Sequence, residues 1–181
     1  MTSPYQTAHD PLRQLQQTLP DIHQALGETN TQQLLASMST IELPARRKLI
    51  RDRMPVDSLY FLVEGDVAIS VEEGGRQISL GELGPGQLLG EVSILSGEFL
   101  ASSTVTTSTP VKLLRLKHQA FEDLMTQHPD VSQVLLEQLT KMMAERLRIS
   151  LEAGTAPIAA TDLEDPPKRG LLWALFGSNG G

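Results

Sequence analysis

The hydrophobic positions change period twice along the chain. In "DPLRQLQQTLPDIHQALG" and "TNTQQLLASM", residues Leu12, Leu15, Leu19, Ile22, Leu26, Leu34, Leu35 and Met38 recur at three- and four-residue steps, which predicts helix over 10–37. Pro20 and Gly27 divide it into pieces, one lacking an N–H donor and the other a weak helix former. From Thr40 the period becomes two, with "TIEL", "KLI", "SLYFLVEG", "DVAISV", "RQISLGEL", "STVTTS" and "VKLLRL" as short strands set apart by Pro, Gly and Asp. Within "VEEGGRQ", Gly74 and Gly75 supply the positive φ values of a two-residue hairpin turn joining Val67–Val71 to Ile78–Leu83. After Leu116 the helical period returns. "HQAFEDLMTQHPD" is a short helix, Pro129 opens another, and the long helix runs from about Asp130 to Leu151 with Gly154 as its stop.

Short strands at this spacing, flanked by helices, predict a mainly β fold of the α+β class. The expected form is a double-stranded β-helix or jelly-roll-like barrel with N-terminal helices and a long C-terminal helix. The chain divides into a helical segment over 1–39, the barrel with its C-terminal helices over 40–152, a linker over 153–168 and an apolar peptide over 169–181. The long helix carries two overlapping apolar stripes, one through Leu135, Leu139, Met142 and Ile149 and another through Leu136, Met143, Leu147 and Leu151. One stripe can pack on the barrel while the other meets a second copy, and we expect a homodimer through the first. The alternative is a single wide stripe used entirely by the core.

Composition narrows the function. A formal charge of -7 argues against a chain whose main task is to grip nucleic acid. The absence of cysteine removes disulfides, thiolate metal sites and a cysteine nucleophile. His9, His23, His118 and His128 are scattered without metal-ligand spacing, so no metal is expected. No Ser–His–Asp context, triphosphate-binding glycine loop or HExxH occurs, and the expectation is no enzyme. With no basic-then-apolar leader and no run of about 20 apolar residues, the expected location is cytoplasmic.

Residues 43–116 resemble the cyclic nucleotide-binding domain of catabolite activators, kinase regulatory subunits and nucleotide-gated channels. The resemblance rests on "LPARRKLIRDRMPVDSLYFLVEGDVAISV", with Asp57, Ser58, Leu59 and Tyr60 before the turn at Gly65, then "ISLGELGPGQLLGE" and "VKLLRLKHQAFEDLM". It implies that "GEVSILSGEFLASSTV" is a phosphate-binding cassette, in which backbone N–H groups at a helix start face a phosphate and an arginine completes neutralisation. By position Glu91 would bond the ribose. Gly90, Val92, Ser93, Ser102 and Ser103 would meet or frame the phosphate.

The arginine is missing. Phe99 stands where the family pattern has proline, and Leu100 or Ala101 stands where it has arginine. Between Arg76 and Lys112 there is no lysine or arginine, while Glu82, Glu91 and Glu98 lie in the interval. Losing one partner of a buried charge pair costs about 2–5 kcal/mol, and about 1.4 kcal/mol is tenfold in affinity. No cofactor is therefore expected, and cyclic nucleotide affinity should be weak unless Arg46, Arg47 or a dimer partner lends a cation.

The remaining feature is "RGLLWALF". Leu171, Leu172, Trp173, Leu175 and Phe176 follow the Pro-, Ala- and acid-rich linker, and read as a peptide that docks on a larger protein or assembly. Folding back on the barrel, and lying on a membrane with Lys168 and Arg169 at the headgroups, are the alternatives. The residues after the long helix are mostly linker, so no DNA-binding domain is expected in cis. Together these features describe a non-enzymatic adaptor or accessory subunit acting through protein association. The alternative is a sensor of altered ligand specificity that relays binding through the long helix.

Overall fold

The computed structural model describes residues 10–91 and 100–154, apart from the side chains of 146, 147 and 149–154. Helix α1 (Pro11–Thr18) begins where the Asp10 carboxylate accepts a hydrogen bond from the Leu12 N–H at 3.0 Å and Pro11 takes the first helical position. Helix α2 (Pro20–Ala36) restarts at Pro20 and is interrupted at Gly27, where φ is 74° and ψ 171°. Both expected division points are breaks. Beside the second, the buried Thr31 hydroxyl donates to the Gly27 carbonyl at 2.6 Å and lies 3.1 Å from His23 Nδ1, so the kink leaves its polar groups paired.

Eight strands follow among the described residues: β1 (Ser39–Leu43), β2 (Lys48–Ile50), β3 (Ser58–Glu64), β4 (Val67–Glu73), β5 (Arg76–Leu83), β6 (Leu88–Leu89), β7 (Thr104–Thr107) and β8 (Val111–Lys117). Helices α3 (His118–Gln127) and α4 (Pro129–Gly154) complete the described chain. One sheet has the order β1-β8-β3-β6 and the other β2-β7-β4-β5, with antiparallel pairing throughout. Each sheet keeps two edges, so the jelly-roll arrangement is a two-sheet sandwich and not a closed barrel. The β4–β5 hairpin turns through Gly74 and Gly75 at φ 58° and 75°, with Glu73 opposite Arg76, as the glycine pair requires.

Strand β3 is buried from Ser58 to Val63 because its sheet is covered on both faces. Leu59, Phe61 and Val63 join Leu114 and Leu116 in a core shared with the helices, where Leu15, Ile22 and Leu34 arrive from α1 and α2. On the other face Tyr60, Leu62 and Leu113 meet Val67, Ile69 and Val105 of the second sheet. At about 1.5–3 kcal/mol for each large apolar side chain fully buried, these two cores dominate the favourable terms.

The helical core also takes in two of the four residues expected at the dimer contact. Leu135 is 0% and Leu139 1% exposed, both inside the core, and Met142 and Leu136 pack against it. The Leu135 and Leu139 part of the stripe assigned to a partner is therefore used by the molecule's own fold, where α2 and α3 pack against α4. Ile149, the fourth residue of that stripe, lies outside the described side chains.

Candidate functional site

Strand β6 delivers Gly90, and the sequence leaves only glycine workable there. Its φ is 83°, and a Cβ would lie 2.5 Å from the Ser58 carbonyl oxygen and 3.2 Å from Val56 Cγ1. Glu91 follows in helical conformation and is buried, at 6% exposure. Val92 and Ser93 of the expected cassette lie outside the described residues, as do the tail residues Leu171, Leu172, Trp173, Leu175 and Phe176.

The excursion that leaves at Gly90 returns at Leu100 to the same strap of chain. Leu100 bridges Pro55, the Ala101 N–H donates to the Met54 carbonyl at 2.9 Å, and the Arg53 N–H donates to the Ala101 carbonyl at 2.8 Å. Residues 53–58 thus anchor both ends of the cassette. Here the two candidate arginine positions separate. Leu100 is 50% exposed, whereas Ala101 is 6% exposed and packed in the inner core with Val56 and Leu89. Ser102 and Ser103 are half-buried between Ala101 and β7. The inward position carries a methyl group, and neither position carries charge.

A cation does reach the inner face of this sheet, from a strand far along the chain. Arg115 of β8 lies directly opposite Tyr60 of β3, and Tyr60 is also opposite Leu89, one residue before Gly90. Arg115 has the same parity as Val111 and Leu113, which face the sandwich interior, and its Nε is buried without a hydrogen-bond partner. Burial pushes the Tyr60 hydroxyl above its usual pKa. Hydrogen bonding with Ser58 and the Arg115 cation oppose that rise, while the Asp57 charge adds to it. The Ser58 hydroxyl donates to Asp57 Oδ1 at 2.8 Å, and the His118 N–H donates to the Asp57 carbonyl at 2.7 Å, tying this end of β3 to the start of α3. A search for cations along the cassette's own sequence misses Arg115. Its alternation with Val111 and Leu113 is the signal that could have found it.

Among the described residues no group of His, Asp and Glu could hold a metal ion, and no helix is long and apolar enough to cross a membrane.

The model of the cyclic nucleotide-binding domain family matches residues 40–128. A glutaminase 2 of Bradyrhizobium diazoefficiens is 35% identical over 67% of this chain and 20% of its own length. A cyclic nucleotide-gated potassium channel of Mesorhizobium japonicum is 31% identical over 62% of this chain and 30% of its own length. The chain thus spans less than a third of either curated relative. The crystal structure of the N-terminal domain of a transcriptional regulator from Streptomyces coelicolor A3(2) superposes with a TM-score of 0.59 at 31% identity, covering 68% of this chain and 89% of that domain. The order of strands, the glycine-to-helix start of the cassette and these likenesses agree: the chain belongs to the cyclic nucleotide-binding domain family.

Proposed function

We propose that the chain is a non-enzymatic regulatory adaptor of this family, acting through protein association, with weak or no affinity for cyclic nucleotides. The carrying observation is Ala101, buried and inward-facing where the resemblance implies an arginine, beside a half-exposed Leu100 that is equally uncharged. The backbone N–H groups of a helix start still favour an anion. Without the cation, the loss of about 2–5 kcal/mol moves a micromolar site to roughly the millimolar range. Association then falls to other surfaces, including the segment around Trp173 and a second copy of the chain. Calorimetric titration with cyclic AMP, cyclic GMP and the cyclic pyrimidine nucleotides tests the reading. A dissociation constant at or below a few micromolar for any of them overturns it.

One observation favours a second reading, a sensor with an altered ligand contact. Arg115 places a cation with an unsatisfied buried Nε on the interior face, one strand from the residue that precedes Gly90. In this reading Arg115 does from β8 what the family arginine does from the cassette. Tight nucleotide binding that is lost in Arg115→Gln would select it over the adaptor.

A further inference from the structure

The described chain gathers positive charge in one stretch of sequence, of which Lys48, Arg51 and Arg53 line a common cleft. Arg46, Arg47, Lys48, Arg51 and Arg53 lie close together with Asp52 as the single acid among them, in a chain whose formal charge is -7. All five are exposed, and among the described residues no ion pair involves any of them. Strand β2 is the outer strand of its sheet, and a charge there deters edge-to-edge pairing. That accounts for Lys48 alone. The four arginines lie in the turns on either side of the strand, where there is no edge to protect.

The backbone supplies a second, independent observation. Among the described residues, the two non-glycine residues with positive φ are Arg46 at 65° and Arg53 at 58°. Each is fixed by a backbone hydrogen bond, from the Arg46 N–H to the Thr107 carbonyl at 2.7 Å and from the Arg53 N–H to the Ala101 carbonyl at 2.8 Å. Glycine or asparagine occupies such positions with less strain. A cation kept twice in the left-handed region marks a requirement for the side chain, since broken local rules concentrate at functional surfaces.

A third observation gives the patch its chemistry. Met54 is 53% and Leu100 50% exposed, and they are neighbours through the Ala101-to-Met54 hydrogen bond and the Pro55–Leu100 bridge. Met54 borders a cleft of about 590 Å³ together with Lys48, Arg51 and Arg53. Asp52, and Glu72 and Glu73 of the β4–β5 hairpin, line the same cleft.

We propose that this face docks on a lipid bilayer bearing anionic headgroups. The cations meet lipid phosphates, and Met54 and Leu100 enter the interfacial layer beside them. Nucleic acid fits the patch less well, since residues 44–56 hold no aromatic side chain on which a base could stack and the apolar pair would face phosphates. An acidic peptide matches the charge but leaves two large apolar side chains standing beyond a short basic strand. The exposed side chains of this surface are distinct from the buried Ala101 and Glu91 of the cassette, so the inference goes beyond the adaptor reading.

Flotation of the full chain with phosphatidylcholine vesicles, with and without phosphatidylglycerol, tests it. The expected result is binding to the anionic vesicles alone, weakened by salt. The double variant Lys48→Gln/Arg51→Gln, at exposed positions outside the left-handed region, should bind about 25-fold more weakly, at about fivefold per cation. Met54→Ser/Leu100→Ser should lower the same binding about tenfold with the charge unchanged, and deletion of residues 171–176 should leave it intact. A circular dichroism melt at the wild-type midpoint establishes that each variant is folded. Failure of the wild type to float overturns the proposal, as does flotation unaffected by the double charge variant or abolished by the tail deletion. Tighter binding of the wild type to poly-glutamate or to a DNA duplex than to the anionic vesicles at the same salt, unaffected by Met54→Ser/Leu100→Ser, would assign the face to an acidic protein segment or nucleic acid instead.

Discussion

Gly90 lies so close to Ser58 that a Cβ on it would sit 2.5 Å from the Ser58 carbonyl oxygen. That contact docks the entry of the cassette on the strap that also receives its exit at Ala101. Gly90→Ala combines a left-handed φ with a backbone clash and should cost about 2–4 kcal/mol. Gly27→Ala has the φ penalty alone, with nothing within 4 Å of its Cβ, and should cost about 1 kcal/mol. Urea unfolding of the two variants reads the difference. Equal losses would mean that Gly90 is not held by contact with β3.

Leu135 and Leu139 distinguish a core stripe from an interface stripe. Each is almost completely buried within one copy of the chain, so truncation to alanine should cost about 2–5 kcal/mol. The loss should not depend on protein concentration. Thermal melts over a hundredfold range of concentration check this, because an interface residue would give a midpoint that shifts with dilution.

What the sequence reveals of this molecule follows the range of each interaction. The Gly74–Gly75 hairpin is legible because a two-residue turn is decided by its own backbone angles. The breaks at Pro20 and Gly27 are legible for the same local reason. Strand β3 reads as a continuous apolar run because helices cover one of its faces and the second sheet the other. Strand β6, two residues long, has no period to detect, and its place is set by Gly86 and Gln87 bonding to Leu62 across the sheet. The open sheet edges depend on which strands pair, which strand count does not contain. In the site, Gly90 and Glu91 are recognisable from their motif, and the absence of a nearby cation can be read directly. The inward direction of Ala101 and the pairing of Tyr60 with Arg115 arise from strands far apart in sequence, beyond local pattern.

The Tyr60 hydroxyl titrates above the ordinary 10.0 because burial disfavours its anion. In the unfolded chain it ionises at its ordinary value, so between the two values the unfolded state has lost the proton that the folded state keeps. Its contribution to stability is therefore intact below about pH 10 and falls as pH rises through the folded value. Tyr60→Phe should remove this part of the alkaline loss. The measurement is the urea midpoint of both proteins from neutral to strongly alkaline pH, and parallel curves would rule out the tyrosine as its source.

Restoring the cation at Ala101 tests which position faces the ligand. In Ala101→Arg the guanidinium enters a buried site with no built partner, which should cost about 2–4 kcal/mol in the absence of ligand. Cyclic AMP should then bind at least about tenfold more tightly than to the wild type and raise the melting temperature. Leu100→Arg should leave both affinity and stability nearly unchanged, because that side chain is half-exposed. Calorimetry on the two variants decides, and a larger gain at position 100 would reverse the assignment.

Arg53 connects stability to the basic face. Its left-handed backbone costs about 1–2 kcal/mol in a residue with a Cβ, while glycine adds about 0.5–1 kcal/mol of chain entropy on folding. The balance favours Arg53→Gly by about 0.5–1 kcal/mol, and Arg53→Asn tolerates the same angles without the full entropy term. Both variants should therefore unfold at higher urea than the wild type while binding anionic vesicles about fivefold more weakly. A gain in stability with undiminished vesicle binding would separate the strained turn from the membrane contact. A loss of stability in both variants would mean that the arginine side chain supports the fold, and the strain would then carry no functional meaning.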